Sequence, residues 1–284
     1  MGSIKRIFKK TVRTVKKVVK TAVNVVQSAV SWLTPSFPSF PDSSFGDTPM
    51  DSYEKGILLT KRSNDAPIPV VYGERLLGGV QVFLETSGSD NQYLYMAVAL
   101  AEGEINSVEQ IIVNDKVVKF DGALTHGSVR DVVTTGSGAD TNFRYCNRAG
   151  CFSTIRAQCF MGTDDQVASS VLTPASGWGS NHRLRGVAYI ALRFWFRSTI
   201  YSSIPTVKAK IKGKKIVTLN SSLVESSPTY STNPAFCILD YLRNERYGKG
   251  LATTDVDLQS FYDASQICVT QVTPFSGGSD INLF

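Results

Sequence analysis

From residue 56 onwards the apolar residues come in short runs, rich in β-branched and aromatic side chains and separated by turn-forming residues. No other feature restricts the fold of this chain as much, because such runs suit pleated, half-buried strands. They occur at GILLTK (56–61), PVVYG (69–73), GGVQVFLET (78–86), QYLYMAVALAEG (92–103), VEQIIVN (108–114) and KVVKF (116–120). Asn114-Asp115 between IIV and KVV predicts a hairpin. Residues 121–182 are polar, with clustered Gly, Ser, Thr and Asp. They read mainly as loops with short strands and a candidate helix near Asp164–Val171. Strands return at GVAYIALRFWF (186–196) and TVKAKIKGKKIVTL (206–219), the second expected to turn at Lys212-Gly213-Lys214.

Near residue 233 the period changes from two to about three and a half. NPAFCILDYLRN reads as a helix capped by Asn233 with Pro234 in its first turn, and Phe236, Ile238, Leu239 and Leu242 as its buried face. TTDVDLQSFYDASQIC reads as a second helix capped by Thr254. The expected fold class is mainly β (α+β), with two consecutive helices near 234–265.

A different pattern precedes this body. Ile4, Phe8, Val12, Val15, Val19, Ala22, Val26, Ala29 and Leu33 recur at helical spacing over residues 1–33. Lys5, Arg6, Lys9, Lys10, Arg13, Lys16, Lys17 and Lys20 occupy the other face, with no acidic residue among them. Of the 30 basic and 24 acidic residues in the chain, the rest are nearly balanced, so the net charge of +6 belongs to this segment. A body that coats nucleic acid is therefore not expected. The helix needs a partner, because a valine-rich helix alone in water is marginal. A sister chain, the protein body or an anionic lipid surface would each suit it, and its one-sided basic face also suits phosphates. Trp32 closes the segment. A Pro- and Phe-rich strap follows over 34–55, and its Phe37, Phe40 and Phe45 are expected to lie on another surface.

The chemistry-bearing residues are few. Cys146, Cys151 and Cys159 follow a C-x4-C-x7-C spacing that fits no common zinc pattern, and a fourth ligand would have to come from His182 or His126. Free or paired thiols are the alternative reading, and five cysteines do not make a disulfide framework. Cys237 and Cys268 read as core residues. Neither histidine sits in a nucleophile or metalloprotease motif, and Gly136-Ser137-Gly138 lacks the Lys-Ser or Lys-Thr of a phosphate loop. No catalytic residue and no cofactor is assigned. No run of eighteen apolar residues is present.

Four stretches carry a resemblance: GILLTKRSNDAPIPVVYGERLLGG (56–79), HRLRGVAYIALRF (182–194), SIPTVKAKIKGKKI (203–216) and STNPAFCILDYLRNERYGKGLATTDVDLQSFYDASQIC (231–268). The last combines Asn233, Pro234, Asp240, Arg246, Tyr247, Gly248 and Gly250. Together they resemble the tail tip, or host-attachment, hub proteins of lambda-like long-tailed bacteriophages. The resemblance implies β-barrel-like hub domains over 56–284 and a homotrimer around a channel at the distal end of the tail. It further implies a structural, non-enzymatic virion protein, assembled in the host cytoplasm and acting in host attachment and genome ejection. Its partners would be the distal tail protein, the tape measure and other tip or baseplate proteins, with DNA only in transit. A membrane-binding or pore-forming protein triggered by the basic helix is the alternative. The ending VTPFSGGSDINLF reads as an unfinished strand, so a longer parent protein is expected.

Overall fold

The computed structural model describes residues 61–62, 66–272 and 281–282. The basic helix expected over 4–33 and the strap over 34–55 lie outside the described residues, with all the contact residues named there.

The run Tyr93–Glu102 explains the architecture, because residues 94–101 are all buried. A strand with one wet face alternates, whereas an unbroken apolar run needs cover on both faces. The strands are β1 (Lys61–Arg62), β2 (Glu74–Leu77), β3 (Val80–Ser87), β4 (Tyr93–Glu102), β5 (Ile105–Val113), β6 (Lys116–Val117) and β7 (Val129–Asp131), then β8 (Arg144–Asn147), β9 (Gly150–Ser153), β10 (Ile155–Met161), β11 (Val187–Trp195), β12 (Val207–Ile216) and β13 (Thr229–Tyr230). Helices α1 (Pro234–Arg243) and α2 (Leu258–Cys268) follow, then the pair β14 (Gln271–Val272) and β15 (Ile281–Asn282). One open sheet has the order β1-β3-β4-β11-β10-β7; the other has β13-β12-β5-β6, with β2 also on β12.

One core lies between the sheets. Met96, Val98 and Leu100 of β4 and Ile190 and Leu192 of β11 join Ile105 and Ile111 of β5 and Val207, Ala209 and Ile211 of β12. The opposite face of the first sheet, through Tyr95, Ala97, Phe160, Tyr189 and Ala191, is roofed by Val171, Leu172, Ala175 and Trp178 from the long segment before β11. Both faces of β4 are thus dry. The body is mostly β, as expected, and consists of two open sheets around a shared core.

Several expectations need correction. Residues 121–182 hold β7 to β10, and β10 is a central strand paired with both β11 and β7. Gln158 disguised it. This side chain is buried, donates to the Gly127 carbonyl at 2.7 Å and accepts from Ser169 Oγ at 2.8 Å, so its amide is satisfied on the roofed face. No helix forms at 164–171, where Gln166 instead pins the roof by donating to the Arg183 carbonyl at 2.9 Å and the Val187 carbonyl at 3.1 Å. PVVYG is not a strand, and ERLL after it is.

The chain does not turn at Lys212-Gly213-Lys214, because β12 runs straight through. A Cβ on Gly213 would stand 2.2 Å from the Val71 carbonyl oxygen. The glycine is there because the 71–73 backbone crosses the strand, taking hydrogen bonds from Gly213 N (2.8 Å, to Gly73 O) and Lys214 N (2.7 Å, to Val71 O). The alternate lysines of β12 face outward and pair with Asp115, Glu74 and Glu109.

The Asn114-Asp115 hairpin is present, with both residues at positive φ, 47° and 62°, as a two-residue turn of this kind requires.

Candidate functional site

The polar groups of the resemblance motifs converge where the helices meet the second sheet. Asn233 caps α1 through its Oδ1, which accepts from Ala235 N at 3.1 Å, and Pro234 follows it. The Asn233 amide also donates to the Ser265 carbonyl of α2 at 2.9 Å, so one residue starts the first helix and ties it to the second. Ala235, Phe236 and Leu239 form the buried face of α1. They pack with Ile216 and Leu219, flanked by Tyr72, Cys237, Phe261 and Tyr262. Ile238, expected on this face, is exposed. The cap of α2 is Asp257, accepting from Gln259 N and Ser260 N, while Thr254 falls within a preceding 3-10 turn. Cys268 is half-buried, outside the apolar cluster that borders Cys237.

That docking aims Asp240 at β12. Lys214 Nζ donates to both carboxylate oxygens at 2.8 Å. Tyr72 OH donates to Oδ2 at 2.5 Å and Tyr247 OH to the same oxygen at 2.9 Å, and Lys214 also contacts Tyr247 OH. The side chains of Lys214 and Asp240 are each only 16% exposed. Burial opposes the lysine's charge, but the hydrogen bonds to Asp240 and Tyr247 outweigh it and hold its pKa above the ordinary value. Burial first, then the bond to Asp240, pushes the Tyr72 hydroxyl well above its usual range, and burial raises Tyr247 as well. A lysine kept charged, two tyrosines kept protonated and a carboxylate accepting hydrogen bonds from all three make a lock, with no base or nucleophile left poised there.

The turn after α1 completes it. Asn244 Oδ1 accepts from Arg246 N at 3.0 Å and Tyr247 N at 3.2 Å, and the Asn244 carbonyl accepts from Gly248 N and Gly250 N. A Cβ on Gly248 would lie 1.7 Å from the Tyr241 carbonyl oxygen, so its role is close approach; Gly250, at φ 63°, supplies the left-handed residue. Arg246 reaches the end of β4, with Nε 2.8 Å from Glu102 Oε1. Sequence reasoning named Asp240 and Tyr247 but missed Tyr72, Lys214, Asn244 and Glu102. Tyr72 and Lys214 do stand in two of the resembling stretches, and that was the available signal.

The structure does not assemble the cysteine site. Cys146 and Cys151 form a disulfide across the β8–β9 hairpin. Cys159 is fully buried in the core, and burial pushes its thiol up to about 12. His126 Nδ1 accepts from Met161 N at 3.1 Å, and His182 sits in an exposed loop beside Trp178, ring centroids 5.3 Å apart. Among the described residues no group of three or more His, Cys, Asp and Glu is placed to hold a metal. No helix of the described residues is long and apolar enough to cross a membrane.

A second feature lies beside that hairpin. A cleft of about 630 Å³ is lined by residues including Tyr93, Asp121, Asp131, Thr135, Phe152, Arg156, Arg193 and Trp195. Arg156 grips Asp131 with Nε at 2.9 Å and a terminal nitrogen at 2.6 Å. The Arg193 guanidinium lies 5.3 Å from the Tyr93 ring centroid.

No protein-family model matches the chain. It is 26% identical over 234 residues to the baseplate hub protein pb3 of Escherichia phage T5, an alignment covering 70% of this chain and 24% of that protein. The chain thus spans about a quarter of the length of the curated relative it matches. It also overlaps a chain of a solved structure, the virion of a native gene transfer agent particle, at 18% identity and a TM-score of 0.33, over 56% of this chain and 30% of that one. That overlap is too slight to carry an argument about fold.

Proposed function

We propose that this chain is a structural subunit of a bacteriophage tail, part of the hub of the tail tip or baseplate, and not an enzyme. The observation that carries this reading is the similarity to a baseplate hub protein along 70% of the chain. The lock at Asp240 supports it, since the polar residues of the resembling stretches are used to fasten helices to a sheet.

In the finer form of the proposal, three copies make a closed ring around a channel at the distal end of the tail. Its contacts are then head-to-tail, each copy presenting one surface to the next and a different surface to the previous one. The distal tail protein and the tape measure would adjoin it, and DNA would pass through without sequence recognition. The basic segment 1–33, on its strap, would reach another tail protein.

Quantitative mass spectrometry of purified particles tests the core of this, with an expected stoichiometry of three copies per tail. Two or six copies, or absence from the particle, would refute it. Deletion of residues 1–45 should leave the body folded and impair tail assembly or DNA delivery. Fully infectious deletion particles would rule out the tether.

A further inference from the structure

The cleft beside the β8–β9 hairpin is not used by the hub reading, and its chemistry is unlike that of the lock. Arg193 Nε is buried and has no hydrogen-bond partner among the described residues. A buried guanidinium nitrogen without an acceptor is uncommon and asks for one. Phe152 stands 40% exposed at the same cleft, its ring 6.2 Å edge-on from Trp195. Thr135 is exposed at the rim, and Asp131 holds Arg156 in a planar, two-pronged pair.

We propose that this cleft binds a saccharide, with ring hydroxyls bridging Arg193 and the Arg156–Asp131 pair and the apolar face of a sugar ring set against Phe152. The volume of about 630 Å³ is of small-ligand size. Two alternatives fit less well. A polyanion would be drawn by excess positive charge, yet the cleft's two arginines are balanced by Asp121 and Asp131. An extended peptide would need free backbone donors and acceptors along the wall. Much of that backbone is engaged elsewhere: Asp121 N and Asp131 O bond each other, Val132 N donates to Ser153 Oγ, Val133 N donates to the Lys119 carbonyl, and the Thr134 carbonyl accepts from Arg144. What remains exposed is a set of side chains offering donors, acceptors and an aromatic surface together, which suits a polyhydroxylated ring.

The test titrates the 284-residue chain with short oligosaccharides of neutral hexose, N-acetylhexosamine and uronic acid, followed by ligand-observed NMR, with oligoglutamate in parallel. At least one sugar class should bind, and Phe152→Ala and Arg193→Lys should each weaken it by about tenfold. Arg156→Lys, at the other guanidinium proposed to meet the ring hydroxyls, replaces Arg193→Lys if that variant does not fold. Failure of all three sugar classes to bind, binding unchanged in the folded variants, or equal binding of oligoglutamate would overturn the proposal. The last result would mark an acidic-partner site. Presence or absence of the chain in tail particles has no bearing on this outcome, so the two readings fail separately.

Discussion

Between the sheets, Val98, Leu100, Ile190 and Leu192 are fully buried in an apolar cluster. Under the helices, Asp240 takes hydrogen bonds from Lys214, Tyr72 and Tyr247 at the edge of a much smaller cluster. The first region is held by area removed from water, which carries no direction. The second is held by groups that must meet in one geometry, because a buried charge is tolerated only when paired. The sheets thus supply a scaffold, and the lock fixes how the helices sit on it. An orientation of that kind is what a polar junction can specify and a greasy one cannot.

The sharpest way to break this contrast is Asp240→Ala. It strands the Lys214 ammonium, whose site is only 16% exposed, and removing one partner of a buried pair costs up to about 3–5 kcal/mol. The loss should be local. Amide exchange should speed up over 234–268 while β4, β10 and β11 stay protected. Uniform loss of protection would show that the two regions are one cooperative unit. Ile190→Ala should cost about 2–5 kcal/mol and act the other way, lowering the protection of both sheets as the main unfolding transition falls. Gly213→Ala tests the place where the regions touch. The added Cβ must displace the Val71 backbone, 2.2 Å from its oxygen, and overpacking of this kind costs about 1–3 kcal/mol, read as a lower Tm.

These positions also show what the sequence could reveal. Local rules were legible: Asn233 as a cap before Pro234, Asn114-Asp115 as a hairpin, and the apolar run of β4 as a strand. Features decided by distant partners were not. Gly213 reads as a turn until the 71–73 segment is laid across it. Gln158 reads as a loop residue until Ser169 and the Gly127 carbonyl satisfy its amide. Ile238 reads as core because helical spacing alone cannot say which of two apolar rows faces the sheet. Of the lock, only the resemblance singled out Asp240 and Tyr247, and Lys214 reads as the flank of a turn. Burial and a partner on another element distinguish it, and neither is a local property.

Alkaline pH should sharpen the contrast further. The folded-state pKa of Lys214 is raised above 10.5. Its contribution is therefore complete below that value and is lost as pH rises through the higher folded one. Tyr72 and Tyr247 are raised too, and act in the same sense. The stability gap between wild type and Lys214→Met should narrow above about pH 10.5, by at most ~1.4 kcal/mol per pH unit. Ile190→Ala should keep a constant gap across the same range. A gap for Lys214→Met that stays flat would mean that the lysine contributes through its methylene stem.

The smallest effect belongs to Arg246, beside Tyr247 in the sequence but opposite to it in character. Its guanidinium pairs with Glu102 at 2.8 Å, yet its side chain is 77% exposed where that of Lys214 is 16% exposed. Water competes for such a pair and salt screens it, so exposed pairs contribute about 0.2–1 kcal/mol. Arg246→Ala should therefore lower stability by less than about 1 kcal/mol in low salt, and the loss should fade at high ionic strength, whereas that of Asp240→Ala should not. Denaturant titrations of both variants at two salt concentrations make the comparison. A cost for Arg246→Ala equal to that of Asp240→Ala, unaffected by salt, would mean that the turn after α1 is clamped from outside as firmly as from within, and the division between a wet rim and a buried lock would fail. A small, salt-sensitive cost in the isolated chain, combined with defective particles, would instead place Arg246 on a surface that another subunit covers. That is the outcome expected of a motif residue whose value lies outside its own domain.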